Sequence, residues 1–187
     1  MTISQGDQFP KGVKFTYIPI DLSDTSLIDP LKCQQPISLN LDNLITRFSQ
    51  SNFLLIVSVP GAWTPLCGEQ HIPAYLQNLA KLKSQKIGAV VIIGANDPFV
   101  MNGWAKVLIK EYVKTAEQPI PELIFAMDST GFSKSQNLTN ESDITGFTRN
   151  KRYALLVDCS NREIKYLGVE TERKVDKSGV DAVLAKL

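Results

Sequence analysis

The chain has 187 residues, 43% of them hydrophobic and 21% charged, which is enough apolar material for one core and sets the expectation of a single domain over residues 1–187. Twenty Lys and Arg against 19 Asp and Glu give a formal charge of +1, so no electrostatic footprint for DNA or RNA stands out. No stretch approaches the roughly 18 apolar residues of a membrane span, and residues 1–13 lack the apolar centre of a leader, so a soluble, non-secreted chain is expected.

Cys33 falls in the Pro-flanked run from Pro30 to Pro36, irregular and exposed by its composition. Phe53 to Val59, FLLIVSV, and Ala89 to Ala95, AVVIIGA, are β-rich apolar runs without polar alternation, the pattern of strands buried on both faces. Between them Thr64, a preferred N-cap residue, and Pro65, suited to the first helical position, open a helix. Its core face is Ile72, Tyr75, Leu76, Leu79 and Leu82, spaced by three and four, and Pro73, without an N–H, predicts a kink. This β, α, β order implies parallel strands.

A second helix is expected from Phe99 to Lys114, strands at Leu123 to Met127, Tyr153 to Val157 and Ile164 to Val169, and a closing helix from Lys177 to Lys186. Asp158 to Arg162, DCSNR, is turn-rich, so the two strands flanking it should form a hairpin. The sum is an α/β chain with a mixed central sheet and helices on both faces.

Three cysteines, Cys33, Cys67 and Cys159, are widely spaced, odd in number and free of CxxC pairing, which argues against a disulfide scaffold or a zinc site. A reducing compartment fits, no cofactor or metal is indicated, and the question becomes which cysteine is reactive. Asn137-Leu-Thr139 and Asn140-Glu-Ser142 match glycosylation acceptors but carry no weight without a leader.

Cys67 stands in the first turn of the helix that Thr64 and Pro65 open. Free backbone N–H groups and the positive end of the helix dipole favour a thiolate there. The plain alternative is a small buried hydrophobe, the fate of most intracellular cysteines. The wider motif tips the balance. Pro60, Thr64 and Cys67 stand as P-x-x-x-T-x-x-C within VPGAWTPLCGEQHIP, followed in order by Asn96-Asp97-Pro98-Phe99-Val100-Met101, Trp104-Ala105-Lys106 and Lys151-Arg152-Tyr153-Ala154-Leu155-Leu156-Val157. Together these resemble the peroxiredoxins, and in particular the peroxiredoxin-five-like subgroup, or redoxins, with fungal alkyl hydroperoxide reductases nearest in pattern.

The resemblance covers nearly the whole chain and implies a thioredoxin-like fold, with reduction of hydrogen peroxide and alkyl hydroperoxides for antioxidant defence. It implies that Cys67 is the peroxidatic cysteine, becoming a sulfenic acid, and that Thr64 hydrogen-bonds the sulfur and the peroxide. Arg152 would stabilise the thiolate and the transition state, while Pro60 closes the pocket and shields the sulfenic acid. By the same resemblance Cys33 resolves Cys67 across a homodimer, and a thioredoxin-like dithiol recycles the disulfide. Arg149 and Lys151 are read as solvated charges and Cys159 as an inert turn cysteine. Trp63, where phenylalanine is common, and Ala74-Tyr75, where Gly-Phe is common, depart from the pattern without removing a catalytic group.

Two rivals stay open at this point. His71, the sole histidine, lies four residues after Cys67, and a Cys-His hydrolase dyad is conceivable if the helix holds that far. A thioredoxin-fold redox sensor or chaperone without turnover is the other, since fold does not establish function. The expected location is the cytoplasm, with the peroxisome as the alternative because Ala185-Lys186-Leu187 is close to the S-K-L address.

Overall fold

A computed structural model describes residues 2–24, 29–50, 52–113, 119–140 and 146–187. Its frame is a seven-stranded mixed sheet built from β1 (Lys14–Tyr17), β2 (Ile37–Asn40), β3 (Phe53–Ser58), β4 (Ile87–Gly94), β5 (Glu122–Met127), β8 (Tyr153–Asp158) and β9 (Ile164–Val169). The order across it is β2-β1-β5-β4-β3-β8-β9. A separate two-stranded ladder joins β6 (Thr139–Asn140) to β7 (Arg149–Asn150). The parallel centre, β3 with β4 and β4 with β5, comes from the apolar runs that the sequence marked as buried on both faces. β8 runs antiparallel to β3 and turns back into β9 through Asp158 to Arg162, as the turn-rich stretch predicts.

Alternate residues of the central strands feed two cores. Leu55, Val57, Val90, Ile92 and Leu156 face one side with α2 (Ile72–Gln77), α3 (Leu79–Ser84), α4 (Pro98–Tyr112) and α6 (Val180–Leu184). Leu54, Ile56, Val91, Ile93 and Leu155 face the other with α1 (Leu41–Arg47) and α5 (Phe132–Ser135). The helices on both faces are therefore a consequence of strands that have no solvent side.

Three helical expectations are revised. The helix after Cys67 is not continuous: a π-turn occupies Cys67–His71, and Asn78 separates α2 from α3. Pro73 is the physical reason for the first break. It offers no N–H to Glu69 and its ring crowds that carbonyl, and the turn widens so that the Ile72 N–H donates to the Cys67 carbonyl. α4 begins where Asp97 Oδ1 accepts from the amides of Phe99 and Val100, at 2.9 and 3.1 Å, and ends at Tyr112, while Lys114 lies outside the described residues, as does Ser142 of the second glycosylation acceptor.

The closing helix shrinks to Val180–Leu184, because Glu170 Oε1 accepts from the amides of Asp176 and Ser178 and from the Ser178 hydroxyl, which holds residues 176–178 out of helical geometry. That held segment crosses β9 at Gly168. A Cβ there would stand 2.1 Å from the Lys177 carbonyl oxygen and 2.5 Å from the Tyr166 hydroxyl, so only a bare backbone permits the approach. Gly168→Ala should cost about 1–3 kcal/mol, a fall of roughly 2–10 °C in melting temperature, because backbone must move to admit the methyl group. A thermal unfolding curve superimposing on the parent's would contradict the crossing.

Candidate active site

The β3–β8 register builds the site. Ser58, the last residue of β3, pairs with Tyr153, the first of β8, so Arg152 arrives at the point where the chain leaves β3 for the Val59 to Thr64 loop. This is the carboxyl end of the parallel strands, the usual place for a site in a sheet of this kind. The sequence separation of Cys67 and Arg152 is removed by one antiparallel pairing, and Arg152 Nη2 donates to Cys67 Sγ at 3.3 Å.

Cys67 has no exposed surface and Arg152 retains 7%. The helix opens at Pro65 as expected, but Thr64 caps it through its backbone: the Thr64 carbonyl accepts from the amides of Cys67 and Gly68 at 3.1 and 3.0 Å. The Thr64 hydroxyl donates instead to the Gly61 carbonyl at 2.9 Å. Two corrections follow from this geometry. The Cys67 N–H is not a free group waiting for a thiolate, and the side-chain donor recorded at the sulfur among the described residues is Arg152. Thr64, its hydrogen committed, faces a ligand as an acceptor only.

The loop before the helix is fixed at several points. Asn96 Oδ1, just past β4, accepts from the Ala62 amide at 2.8 Å, and Arg149 Nη1 lies 3.4 Å from the Pro60 carbonyl. Arg149 was expected to be a solvated charge, yet a Cβ on Gly61 would come within 2.5 Å of its Nη1, so the guanidinium packs against the loop backbone. Lys151 matches its expectation better: it stays at the surface, with Nζ on the Asn137 carbonyl at 3.1 Å. Trp63 adopts φ 62°, a left-handed conformation uncommon for a non-glycine residue, and keeps 60% of its surface exposed at the rim of the loop.

Pro60, Thr64, Pro65, Leu66 and Arg152 line one wall of an open cavity of about 720 Å³, closed elsewhere by Phe147, Arg149 and the segment from Val169, the last residue of β9, to Arg173. Cys67 is fully buried and lies off the cavity surface, but its partner Arg152 lines it. His71 does not form a dyad with it: Nε2 lies 2.9 Å from the Ser178 carbonyl, which can only accept, and Nδ1 lies 2.9 Å from Arg152 Nη1, which can only donate. Both ring nitrogens are thus committed to a neutral tautomer, leaving no position from which to take the cysteine proton. Burial, with the Arg152 charge beside the ring, pulls His71 down to about 4.

The other two cysteines lie apart from this cluster. Cys33 is exposed, as its loop composition predicts. The loop is moored to α4 by the buried Lys106, whose Nζ donates to the Lys32 and Asp29 carbonyls, the second at 3.2 Å. Cys159 is buried under the second core, where desolvation and Asp158 push its thiol up to about 12. Sequence reasoning assigned no role to Asn96, Lys106, Glu170 or Ser178. The first two stood inside quoted motif segments, whereas nothing local distinguishes Glu170 or Ser178. Among the described residues no group of three or more His, Cys, Asp or Glu is placed to hold a metal ion, and no helix is long and apolar enough to cross a membrane.

Comparison with known proteins adds the relatives. A family model described as Redoxin matches residues 4–184. A protein named putative peroxisomal peroxiredoxin from Lipomyces kononenkoae is 38% identical over 182 residues, covering 97% of this chain and 99% of its own. Peroxiredoxin AHP1 from Chaetomium thermophilum is 34% identical, covering 99% of this chain and 95% of its own. Among solved structures, reduced Prx3 from Vibrio vulnificus in complex with hydrogen peroxide superposes with a TM-score of 0.74 at 23% identity, covering 100% of both chains. Peroxiredoxin 5 from Alvinella pompejana gives 0.67 at 25%, covering 98% of this chain and 97% of its own.

The depressed His71 has a measurable consequence. An unfolded chain protonates this histidine near pH 6.5 and the folded one only near 4, so protons favour the unfolded state as pH falls through that window. Stability should drop by about 3 kcal/mol between those values, on top of other acid effects, and level off below about 4. His71→Gln, which cannot titrate, should show a shallower slope in denaturant titrations over the same range; equal slopes would contradict the burial described.

Proposed function

Because this chain belongs to the Redoxin family of peroxiredoxins, thiol peroxidases of antioxidant defence with the thioredoxin-like fold described above, we propose that Cys67 is its peroxidatic cysteine, and the observation that carries the reading is the Arg152 donor at 3.3 Å from a fully buried sulfur. Residues 1–187 are read as one domain, supported by the family match over residues 4–184 and by a single seven-stranded sheet whose strands run from Lys14 to Val169.

The chemistry runs through four residues. The Cys67 thiolate attacks one peroxide oxygen, the O–O bond breaks, and the departing alkoxide or hydroxide takes a proton, leaving Cys67 as a sulfenic acid and releasing alcohol or water. Arg152 pairs with the sulfur through Nη2 and donates to oxygens that gain charge in the transition state. Thr64 accepts the peroxide O–H with the lone pairs its bond to Gly61 leaves free. Pro60 walls the cavity and contributes no polar hydrogen, which keeps water from the sulfenic acid.

In the second half-reaction the Cys33 thiolate of one protomer attacks the Cys67 sulfur of its partner, expelling water and forming a disulfide that a thioredoxin-like dithiol reduces. The exposed loop that carries Cys33 supports this, and the burial of Cys67 requires the turn from Pro65 to His71 to unwind first. An intrachain bond is the competing product. The cytoplasm is the location we keep, with the peroxisome as the alternative suggested by Ala185-Lys186-Leu187 and supported by the name of the Lipomyces relative.

One variant series tests the cysteine roles. Cys67→Ser should abolish hydroperoxide consumption in the presence of thioredoxin and its reductase while keeping the fold; full turnover would remove Cys67 from the reaction. On non-reducing gels after one equivalent of peroxide, the parent and Cys159→Ser should give a disulfide-linked dimer and Cys33→Ser none. A dimer that persists in Cys33→Ser but is lost in Cys159→Ser would move the resolving role to Cys159. For location, a fluorescent protein fused upstream of residue 187 should stay diffuse in the cytoplasm, and punctate peroxisomal signal would reverse that assignment.

A further inference from the structure

A buried guanidinium has a planar fork, and only one of its tines is spent on the sulfur. Arg152 Nη2 points at Cys67 and Nη1 at His71 Nδ1, 2.9 Å away, so the imidazole fixes the rotation of the plane that aims the other nitrogen. The ring itself has little freedom. Its Nε2 donates to the Ser178 carbonyl at 2.9 Å, the same oxygen that accepts the Tyr75 hydroxyl at 2.7 Å, and the Tyr75 ring meets it edge-on with centroids 5.7 Å apart. Ser178 is in turn held by its amide and hydroxyl on Glu170 Oε1, at 2.8 and 2.9 Å. A hydrogen-bonded path therefore runs from β9 through Ser178, His71 and Arg152 to the sulfur, with His71, Tyr75 and Ser178 fully buried and Glu170 nearly so.

We propose that His71 is a positioning residue for Arg152: as a neutral acceptor at Nδ1 it holds the guanidinium in the orientation that keeps a donor on the Cys67 sulfur. This rests on the reading of Arg152 as the partner of the thiolate. The acceptor must be uncharged, since a protonated ring would set a second cation and a second donor against Nη1. A carboxylate in its place would compete with the sulfur for the guanidinium charge, whereas an imidazole takes one donor and leaves the charge available. The groups facing His71 are the Arg152 cation, Tyr75, Ser178 and, further out, Glu170, whose carboxylate is engaged by Ser178 and Asp176 and so steadies the anchor.

Asn and Gln separate the two ring nitrogens. The asparagine amide overlays the Nδ1 position and can accept from Arg152, while the glutamine amide reaches the Nε2 position and can donate to Ser178 without an acceptor at Nδ1. In a chain with Cys33→Ser and Cys159→Ser, alkylation of Cys67 by iodoacetamide across a pH series reports thiolate formation. The rate of Cys67 oxidation by hydrogen peroxide reports attack. His71→Gln should move the alkylation midpoint upward and slow oxidation by roughly tenfold, as expected when a catalytic group is misplaced by a fraction of an ångström, and His71→Asn should stay near the parent. Arg152→Met should shift both readouts by at least as much, and adding His71→Gln to it should change neither further.

A His71→Gln protein that matches the parent, or a double variant in which the two losses add, overturns the positioning role. An Arg152→Met protein that matches the parent removes the Arg152 reading itself and His71 with it. The two failures are thereby told apart.

Discussion

A guanidinium with 7% of its surface exposed governs this structure, because a buried charge that lacks partners costs several kcal/mol and every neighbour must answer to it. Arg152 receives the Cys67 sulfur on one nitrogen and the His71 lone pair on the other. Both partners come from the same turn, Cys67–His71, so the strand end that carries the cation and the turn that carries the cysteine constrain one another. The π-widening caused by Pro73 belongs to the same constraint, for it sets the register at which Cys67 and His71 together meet one fork. The antiparallel entry of β8 then delivers the arginine to the carboxyl end of β3, where the loop to that turn begins.

Support for the arrangement is spread over long sequence separations. Asn96 and Arg149 hold the loop ahead of Cys67 from two different strand ends, and Glu170 with Ser178 holds His71 from a third. Gly168 enters for a geometric reason only, since the segment bearing Ser178 passes so close to β9 that no side chain fits beneath it. Residues without chemistry of their own thus set distances at a sulfur about a hundred positions away, as expected when a site is preorganised by its surroundings.

The sheet centre was readable because FLLIVSV and AVVIIGA carry their burial in composition, and Ile72, Tyr75, Leu76, Leu79 and Leu82 write a core face that holds through the interruptions of the helix. Four-residue β1 and β2, seven-residue α1 and four-residue α5 were not readable. KFTY and ISLN have no periodic signal of their own, and α1 is stabilised by the Asn40 cap and by core contacts from distant strands. At the site, the family resemblance singled out Cys67, Thr64 and Arg152, and the fold brings Cys67 and Arg152 within hydrogen-bonding distance. The backbone use of Thr64, the neutrality of His71 and the packing of Arg149 depend on which carbonyl lies opposite, and a carbonyl has the same identity at every position of the chain. A hydrolase dyad was a fair reading of two residues four apart and fails only because both imidazole nitrogens are occupied from outside the helix.

The complete burial of Cys67, next to a cavity lined by Pro60, Thr64 and Arg152, bears on molecular size. A hydroperoxide is far smaller than another protein's thiol-bearing segment, so a fully buried sulfur demands much less opening for the first than for the second. Under the role proposed for Cys67, the closed fold would work as a turnstile: the oxidant enters while the gate is shut, and the disulfide partner gains access only after the gate has moved. On that reading, mixed disulfides with passing thiols would be disfavoured by geometry alone, without any discrimination in binding strength.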